Sequence, residues 1–275
     1  MTSLPLTSIT FSGLATRKAS VCEEIMSGNG PKRPNPTIIA IAGGTASGKT
    51  TLSRKIIEMI DFDKNRVAII SQDSFYKVLS AEERELAKKG EYNFDSPDAF
   101  DKKLFIDTLD RLRRGKQVDI PTYDFKTSSR TDESTRVNLV ECILVEGILV
   151  LSPEYCHLYD MKIFVDTDSD IRLARRIKRD TVERGRTMDS ILSQYLTHVK
   201  PSYDQFVKPC KRNADLVIPW GAENTVAVEL IVRSIKHVLQ ACSNYSKKSG
   251  TKSSSRTSSR NSLSAYSSDT EDSLF

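Results

Sequence analysis

Residues 43–50 read GGTASGKT and place a lysine and a hydroxyl side chain directly behind a glycine-rich turn. They match the phosphate-binding pattern G-x-x-x-x-G-K-[ST] at every specified position. Backbone N–H groups of such a turn converge on phosphate oxygens, and the helix that follows adds the positive end of its dipole. Lys49 would reach the β- and γ-phosphates, and the Thr50 hydroxyl would coordinate Mg²⁺. The pattern predicts that the chain binds a nucleoside triphosphate.

The segments on either side of the turn suit this chemistry. An apolar run at 37–42 leads into it, and apolar residues at helical spacing follow over 51–60. A glycine-rich turn without function is the alternative, but a chance match between a strand and a helix is rare. The residues predicted here to hold the triphosphate are Gly43, Gly44, Thr45, Ala46, Ser47, Gly48, Lys49, Thr50 and Thr51.

Composition and charge exclude several classes of protein. Hydrophobic residues make up 38% of the 275 positions, and the net charge is only +5. Acidic and basic residues are interleaved through the centre, whereas nucleic-acid binders concentrate positive charge. No run approaches the roughly eighteen apolar residues that a transmembrane helix needs. The five cysteines are dispersed, which indicates a reducing compartment. We expect a cytoplasmic protein that binds neither nucleic acid nor a membrane.

The chain divides into three parts by composition. Residues 1–35 and 242–275 carry little periodic apolar pattern, and the second of these segments is rich in serine. We predict a disordered N-terminal arm, one folded domain over 36–241 and a disordered Ser-rich tail. Because the arm lacks acidic residues before Glu23, a mitochondrial presequence is a second interpretation of it.

Five short apolar segments alternate with helical patterns along the folded part. Each segment is a nearly continuous apolar run, which is typical of strands buried on both faces of a parallel sheet. The predicted strands are 37–42, 67–71, 142–145, 161–166 and 216–220. The predicted helices are 50–60, 102–114, 171–182, 188–199 and 226–241. The alternation predicts a doubly wound α/β fold with a five-stranded parallel sheet flanked by helices.

A long stretch between the second and third strands does not fit this alternation. Segments 117–123 and 135–139 have strand character and flank the polar run 125–134. We predict a β-hairpin that covers a substrate cleft, with a surface hairpin of no function as the alternative.

Acidic residues close or follow two of the predicted strands. Asp73 follows the second strand, and Glu146 ends the third. Ligands of open α/β sheets bind at the carboxyl ends of the strands, so both acids would lie beside the phosphate-binding turn. A carboxylate there can orient Mg²⁺ or accept the proton of an attacking hydroxyl, and capping of a neighbouring helix is the alternative. We predict that Thr50 and Glu146 hold Mg²⁺.

An arginine-rich segment follows the fourth predicted strand. It comprises Arg172, Arg175, Arg176, Arg179, Arg184 and Arg186. Guanidinium groups suit a transition state whose negative charge is spread over phosphoryl oxygens. A solvated charged helix is the alternative, but the phosphate-binding turn upstream favours an arginine-rich helical lid. The guanine-reading motif of GTPases is absent from the sequence, which disfavours a GTPase switch.

Several motifs in a fixed order resemble those of the uridine-cytidine kinases over residues 37–239. They are GGTASGKT, SQDSFY, NFDSPDAFD, IPTYDF, VEGIL, FVDTDSDIRLARRIKRD, ERGR and ILSQY. The resemblance implies transfer of a phosphoryl group from ATP, or GTP, with Mg²⁺ to the 5′-hydroxyl of uridine or cytidine. The products would be UMP and CMP, in pyrimidine salvage. It also implies a homotetramer and feedback by UTP or CTP.

The resemblance further assigns roles to residues at matching positions. Asp73 matches the catalytic base, Asp95 matches the acid that holds the ribose hydroxyls, and Glu223 stands where the family has an aspartate near the nucleotide. Together with the phosphate-binding turn, these matches give a catalytic set of Lys49, Asp73 and Arg179. The predicted substrate-binding set is Asp95, Tyr123, Phe125, Ser128, Arg176, Arg184, Arg186 and Gln194.

Two positions depart from the family pattern. Ser128 stands where the family has a histidine that contacts the pyrimidine edge, and Trp220 replaces a residue that is usually basic. Trp220 would either reshape the nucleotide end of the site or pack against the sheet edge. The missing histidine supports one alternative, a related kinase that acts on another small hydroxyl compound. A catalytically weak, nucleotide-binding regulatory homologue is the second alternative. The intact Lys49, Thr50 and Asp73 argue against it.

Overall fold

The computed structural model describes residues 35–60, 64–125 and 127–251, and for residues 64, 241 and 243–251 it describes the backbone alone. Residues 1–34 and 252–275, which make up most of the predicted arm and tail, lie outside these ranges. Within the described ranges, no helix combines the length and the apolar character that crossing a membrane requires.

Seven strands form two sheets in the described part of the chain. They are β1 (Thr37–Gly43), β2 (Val67–Ser71), β3 (Val118–Asp124), β4 (Ser129–Val137), β5 (Cys142–Gly147), β6 (Met161–Asp166) and β7 (Leu216–Pro219). The larger sheet has the order β2-β5-β1-β6-β7, and its neighbouring strands are all parallel. β1 is buried along its whole length, as its continuous apolar sequence predicts. The predicted five-stranded parallel sheet is confirmed.

The described residues form seven α-helices, and several of these cover the two faces of the larger sheet. They are α1 (Lys49–Ile60), α2 (Ala81–Lys89), α3 (Lys102–Arg113), α4 (Ser169–Val182), α5 (Met188–Gln194), α6 (Lys200–Ser202) and α7 (Thr225–Thr251). Leu52 of α1 and Ile231 of α7 belong to the apolar cluster on one face, and Phe105 of α3 belongs to the cluster on the other. Burying each such side chain contributes about 1.5–3 kcal/mol. The two clusters hold helices against both faces of the sheet, and because its strands are parallel, all their carboxyl ends meet at one edge.

Two helical stretches extend well beyond their predicted ends. The predicted helix 188–199 continues past residue 199, because the π-helical turns Tyr195–Val199 and Tyr203–Val207 join α5 and α6 into one stretch. α7 runs ten residues beyond the predicted end at 241. Neither proline nor glycine interrupts the chain there before Gly250, so nothing stops the helix earlier.

Helix α2 was missed by the sequence analysis. Its caps define it: the Glu83 N–H donates to Ser80 Oγ at 3.2 Å, and the Ser80 N–H donates to Glu83 Oε2 at 2.8 Å. Gly90, with φ of 78°, ends it. No residue of α2 is buried, so apolar periodicity gives no signal. The capping box Ser-x-x-Glu was the available signal.

The predicted hairpin is present, but its second strand was placed wrongly. β3 and β4 pair antiparallel, with Val118 opposite Val137. β4 begins at Ser129, so most of the polar run 125–134 is strand and not loop. Residues 131–136 are exposed and therefore need no apolar alternation. Main-chain hydrogen bonds to β3 hold this strand in place. Such bonds do not depend on side-chain type, so the sequence does not indicate them.

Candidate active site

A cavity of about 970 Å³ opens at the carboxyl edge of the sheet, bounded by the turn after β1, the hairpin and α4. Most of the predicted site residues line it. They are Thr45, Ala46, Gly48, Lys49, Thr50, Thr51, Asp73, Asp95, Tyr123, Phe125, Ser128, Glu146, Arg176, Arg179, Arg184, Arg186, Gln194 and Glu223. The other three predicted residues, Gly43, Gly44 and Ser47, form the turn behind the wall.

Close contacts fix the shape of the turn after β1. A Cβ atom on Gly44 would lie 2.5 Å from Arg172 Nη1, and Gly48 has a left-handed φ of 95°. Ser47 is fully buried, and its carbonyl accepts a hydrogen bond from Thr167 Oγ1 at 3.0 Å. The turn thus has the rigid, close-packed backbone that a phosphate cradle requires.

Lys49 is the buried cation beside this turn. It is the first residue of α1, and its Nζ donates to the Gly44 carbonyl at 2.9 Å. Burial lowers the pKa of Lys49, and the charges of Glu146 and Asp73 oppose that shift. An ammonium group has three donors, so Lys49 retains hydrogen-bonding capacity for an anionic ligand.

Thr50 and Glu146 place two oxygen ligands at the same end of the cavity. Thr50 Oγ1 donates to Glu146 Oε1 at 3.1 Å. Burial raises the pKa of Glu146, opposed by the Lys49 ammonium and by hydrogen bonds from Thr50 and Ser71. The described residues contain no group of three or more His, Cys, Asp or Glu side chains that could hold a metal. A hydroxyl and one carboxylate fit Mg²⁺ that is shared with substrate phosphates.

Asp73 lies deep in the cavity, just past the end of β2. Its carboxylate hydrogen-bonds to Tyr76. Burial raises the pKa of Asp73 above the ordinary 3.8, although the cations Lys49, Arg184 and Arg179 oppose the rise. A carboxylate with a raised pKa beside a phosphate site has the properties of a general base.

Four arginines converge on Asp180, a fully buried carboxylate of α4. The nitrogen–oxygen distances are 3.6 Å for Arg176, 2.8 Å for Arg179, 3.5 Å for Arg184 and 3.8 Å for Arg186. Burial would raise the pKa of Asp180, but the neighbouring guanidinium charges outweigh it and the pKa is lowered. All four arginines line the cavity, so Asp180 holds them in position. Sequence analysis missed Asp180; its i,i+4 spacing to Arg176 and Arg184 was the available signal.

Gln194 joins this cluster, whereas Arg172 does not. Gln194 Oε1 accepts hydrogen bonds from Arg176 at 2.8 Å and Arg186 at 3.0 Å. The guanidinium of Arg172 lies 3.9 Å from the centre of the Tyr203 ring, and its Nε donates to the Thr167 carbonyl. Arg172 therefore anchors α4 and does not line the cavity.

Aromatic rings line the other end of the cavity. The centre of the Tyr123 ring lies 4.9 Å from that of Tyr76, and its side chain hydrogen-bonds to Ser128. The Arg184 guanidinium lies 4.1 Å from the centre of the Phe125 ring. Ser128 has a left-handed φ of 52° in the hairpin turn. These flat apolar surfaces suit a planar ring of a ligand.

Asp95 lies between the aromatic end and the arginine cluster. Burial raises its pKa, and the charge of Arg176 opposes that shift. The Asp95 N–H donates to Asn93 Oδ1 at 3.0 Å, which shapes the loop that carries it. Sequence analysis did not assign Tyr76 and Phe94, whose rings are 5.5 Å apart and which also line the cavity. Their clustering in space has no counterpart in sequence spacing.

Trp220 and Glu223 border the cavity on the short loop after β7. A Cβ atom on Gly221 would lie 3.0 Å from the Ser47 carbonyl oxygen, so this loop packs against the phosphate-binding turn. Trp220 is 59% exposed, and Glu223 forms an ion pair with Arg175. Trp220 thus lines the cavity, one of the two placements that the sequence left open.

Comparison with known proteins places these observations in a family. The sequence matches the model of the "Phosphoribulokinase / Uridine kinase family" over residues 38–227. "Uridine-cytidine kinase 2-B" of Danio rerio is 48% identical over 217 residues, or 77% of this chain and 83% of that protein. "Uridine/cytidine kinase UKL1, chloroplastic" of Arabidopsis thaliana is 50% identical over 208 residues, or 74% of this chain. The matched region spans only 42% of the plant protein.

Solved structures with lower sequence identity share the fold. Phosphoribulokinase from Rhodobacter spheroides has a TM-score of 0.53 at 17% identity, over 68% of this chain and 71% of that one. D-glycerate 3-kinase from Cryptococcus neoformans has a TM-score of 0.51 at 15% identity, over 78% of this chain and 97% of that one. The family-model match and the two relatives near 50% identity show that the chain belongs to the phosphoribulokinase / uridine kinase family.

Proposed function

We propose that this protein transfers the γ-phosphoryl group of ATP, or of GTP, to the 5′-hydroxyl of uridine or cytidine. The products are UMP and CMP, as in pyrimidine salvage. One observation carries the proposal: a single cavity joins the phosphate-binding turn, the Asp73 carboxylate and an aromatic end that fits a nucleoside. The relatives named uridine-cytidine kinases, at 48% and 50% identity, support this choice of acceptor.

The chemistry follows from the charges around Asp73. Asp73 accepts the proton of the attacking 5′-hydroxyl, a new oxygen–phosphorus bond forms, and ADP leaves with the electrons of the broken bond. Lys49 and Arg179 stabilise the negative charge on the transferred phosphoryl group. Thr50 and Glu146 are the residues that would hold Mg²⁺, which would supply further neutralisation of the phosphate charge.

The remaining predicted residues position the two substrates in this proposal. Asp95 accepts hydrogen bonds from the ribose hydroxyls, and Tyr123 and Phe125 pack against the nucleoside. The lid arginines and Gln194 close over the phosphates and the acceptor. The proposed substrate contacts through the lid are Arg176, Arg184, Arg186 and Gln194.

A radiolabelled phosphate-transfer assay tests this function against its two alternatives. Labelled γ-phosphate should appear on uridine and cytidine in the presence of Mg²⁺ and not in its absence. Transfer to a different hydroxyl compound, with none to uridine or cytidine, would favour a related kinase. Nucleotide binding without any transfer would favour the regulatory homologue.

Location, assembly and regulation are further parts of the proposal. The described cysteines Cys156 and Cys210 are free thiols, which supports a reducing compartment such as the cytoplasm. The cavity also supports feedback inhibition by UTP or CTP. A pyrimidine triphosphate could place its phosphates at the phosphate-binding turn and its nucleoside at the aromatic end of the same cavity. The homotetramer rests on the family resemblance alone.

The pH dependence of catalysis should reflect the raised pKa of Asp73. A general base works only when deprotonated, so kcat/KM should rise with pH as Asp73 loses its proton. Because burial raises this pKa, the acid limb should lie above the ordinary value of 3.8. Measuring kcat/KM against pH for wild type and Asp73→Asn checks this. An unchanged acid limb in the residual activity of the variant would assign it to another group.

Nucleotide binding should be visible through Trp220. It is the only tryptophan of the chain, it is 59% exposed, and it lies beside the phosphate-binding turn. We expect Mg²⁺–ATP to change its fluorescence as the nucleotide covers the indole. Uridine alone should leave the signal unchanged, because the aromatic end lies elsewhere in the cavity. An unaltered emission spectrum at nucleotide saturation, verified by calorimetry, would contradict the proposed position of the nucleotide.

Ser128→His should strengthen recognition of the pyrimidine base. An imidazole can add a hydrogen bond to the base edge, and histidine tolerates the left-handed backbone of this turn. One such bond is worth about 0.5–1.5 kcal/mol, so KM for uridine and cytidine should fall roughly two- to twelvefold. Steady-state kinetics measures this, with an unchanged KM for ATP and with Thr127→His as the matched control. Pyrimidine KM values that stay constant or rise would show that recognition bypasses this position.

A further inference from the structure

The aromatic end of the cavity adjoins a second cavity. This second cavity measures about 430 Å³, and Ser128 belongs to the walls of both. Four more residues line both cavities: Phe125, Arg184, Arg186 and Gln194. The Ser128 side chain is small and forms a hydrogen bond with Tyr123. Little side-chain volume therefore separates the two cavities at this position. The reaction proposed above makes no use of the second cavity.

A chain of contacts gives the direction in which a nucleoside must lie. Asp73 hydrogen-bonds to Tyr76, the Tyr76 ring lies 4.9 Å from the Tyr123 ring, and Tyr123 hydrogen-bonds to Ser128. The 5′-hydroxyl belongs at Asp73, so the base extends along this chain towards Ser128. In a pyrimidine, C4 lies across the ring from N1, which carries the ribose. The exocyclic group at C4 therefore points towards Ser128 and the second cavity.

Four cationic side chains line the second cavity, and Lys88, one of them, also pairs with Glu85 at 2.6 Å. Arg84 and Lys88 of α2 line it, together with Arg184 and Arg186 of the lid. Among the described residues that line it, none is acidic. A water molecule occupies about 30 Å³ of liquid volume, so the space holds a substituent of several heavy atoms. Its size and charge suit a carboxylate on a short stem.

We propose that the acceptor pocket extends past Ser128, and that the enzyme accepts cytidines whose N4 atom carries a short carboxylate-bearing group. This inference rests on the proposed function and names a further substrate class for the same site. The transfer step is unchanged: Asp73 takes the 5′-hydroxyl proton, the γ-phosphoryl group moves to that oxygen, and ADP leaves. Arg84 and Lys88 bind the carboxylate and take no part in the transfer.

The test compares cytidine with two N4-substituted cytidines of nearly equal size. N4-carboxymethylcytidine carries the charge, and N4-carbamoylmethylcytidine replaces the carboxylate with a neutral amide. We expect both to be phosphorylated, with kcat/KM higher for the charged compound by about fivefold, as for a partly solvated ion pair. The Arg84→Ala/Lys88→Ala variant should lose that preference and keep wild-type kinetics with cytidine. Lys89→Ala, on the same helix but outside the cavity wall, is the matched control.

Ser128→His should narrow the passage, and it should therefore lower kcat/KM for both substituted cytidines relative to kcat/KM for cytidine in the same variant. The inference is overturned if cytidine is phosphorylated and both substituted compounds are not, or if the charged compound has no advantage. Failure of cytidine itself would overturn the proposed function instead. In that case, calorimetry measures the affinity of N4-carboxymethylcytidine for the wild type and for the Arg84→Ala/Lys88→Ala variant. Tighter binding to the wild type would support the inference, and equal affinities would contradict it.

Discussion

Replacing Lys49 with alanine is expected to abolish phosphoryl transfer while thermal unfolding stays near that of the wild-type protein. The ammonium group lies 2.9 Å from the Gly44 carbonyl, at the turn that cradles the phosphates. Without it, the charge that develops on the transferred group loses a buried positive partner, which is worth about 10³-fold or more in rate. Desolvation is the largest influence on the pKa of Lys49, so removing this buried charge is not expected to unfold the chain.

Turnover and melting temperature, measured on the same preparations, check this result. Lys103→Ala is a matched control, because Lys103 is exposed on α3 and pairs only with Asp107 among the described ion pairs. This control should keep full activity. Lys49→Met retains an aliphatic stem and separates loss of charge from loss of packing. Wild-type turnover in either Lys49 variant would remove the turn from the mechanism.

Replacing Asp73 with asparagine is expected to lower kcat by about 10²- to 10⁴-fold, the usual contribution of a general base. The nucleoside KM should change little, because Asp73 acts on the chemical step. Its pKa is raised on folding, so the folded state binds more protons than the unfolded state between pH 3.8 and the folded pKa. The contribution of Asp73 to the free energy of unfolding therefore falls as the pH rises from 3.8 through the pKa of the folded state. At neutral pH the neutral amide therefore removes an unfavourable buried charge.

Asp95→Asn provides the contrast for this prediction. Asp95 is proposed to hold the ribose, so its substitution should mainly raise the nucleoside KM. Asp107→Asn, at an exposed site on α3, should leave both constants unchanged. If Asp73→Asn raised KM and kept kcat, Asp73 would be a binding residue and its assignment as base would be wrong.

The sequence predicted the elements whose burial leaves a repeating pattern. β1 lies between two covered faces, so its apolar run 37–42 identified it almost to its ends. Residues 131–136 of β4 are exposed on both faces, and the start of this strand at Ser129 depends on main-chain pairing with β3. The π-helical turns after α5 likewise depend on packing, because no local residue pattern encodes the extra residue in each turn.

The site was predictable where chemistry requires a residue type at a fixed spacing. The turn residues up to Thr50 follow from the phosphate-binding pattern, and strand ends pointed to Asp73 and Glu146. Asp95, Tyr123 and Gln194 came only from the family resemblance, since distant loops bring them together. Asp180 was missed, because its function is to hold arginines and not to touch a ligand. For Trp220 the sequence left two positions open. Only the packing of its loop against the phosphate-binding turn decides between them.

Phosphorus–proton correlation NMR of the product tests the central claim most directly, that the phosphoryl group is transferred to the 5′-hydroxyl of the nucleoside. The enzyme is incubated with Mg²⁺–ATP and uridine, and in parallel with 5′-deoxyuridine, which lacks the acceptor oxygen. The account predicts one new phosphorus signal coupled to the two 5′ protons of UMP, and no product from 5′-deoxyuridine. Phosphate coupled to the 2′ or 3′ proton, or a product from 5′-deoxyuridine, would contradict it.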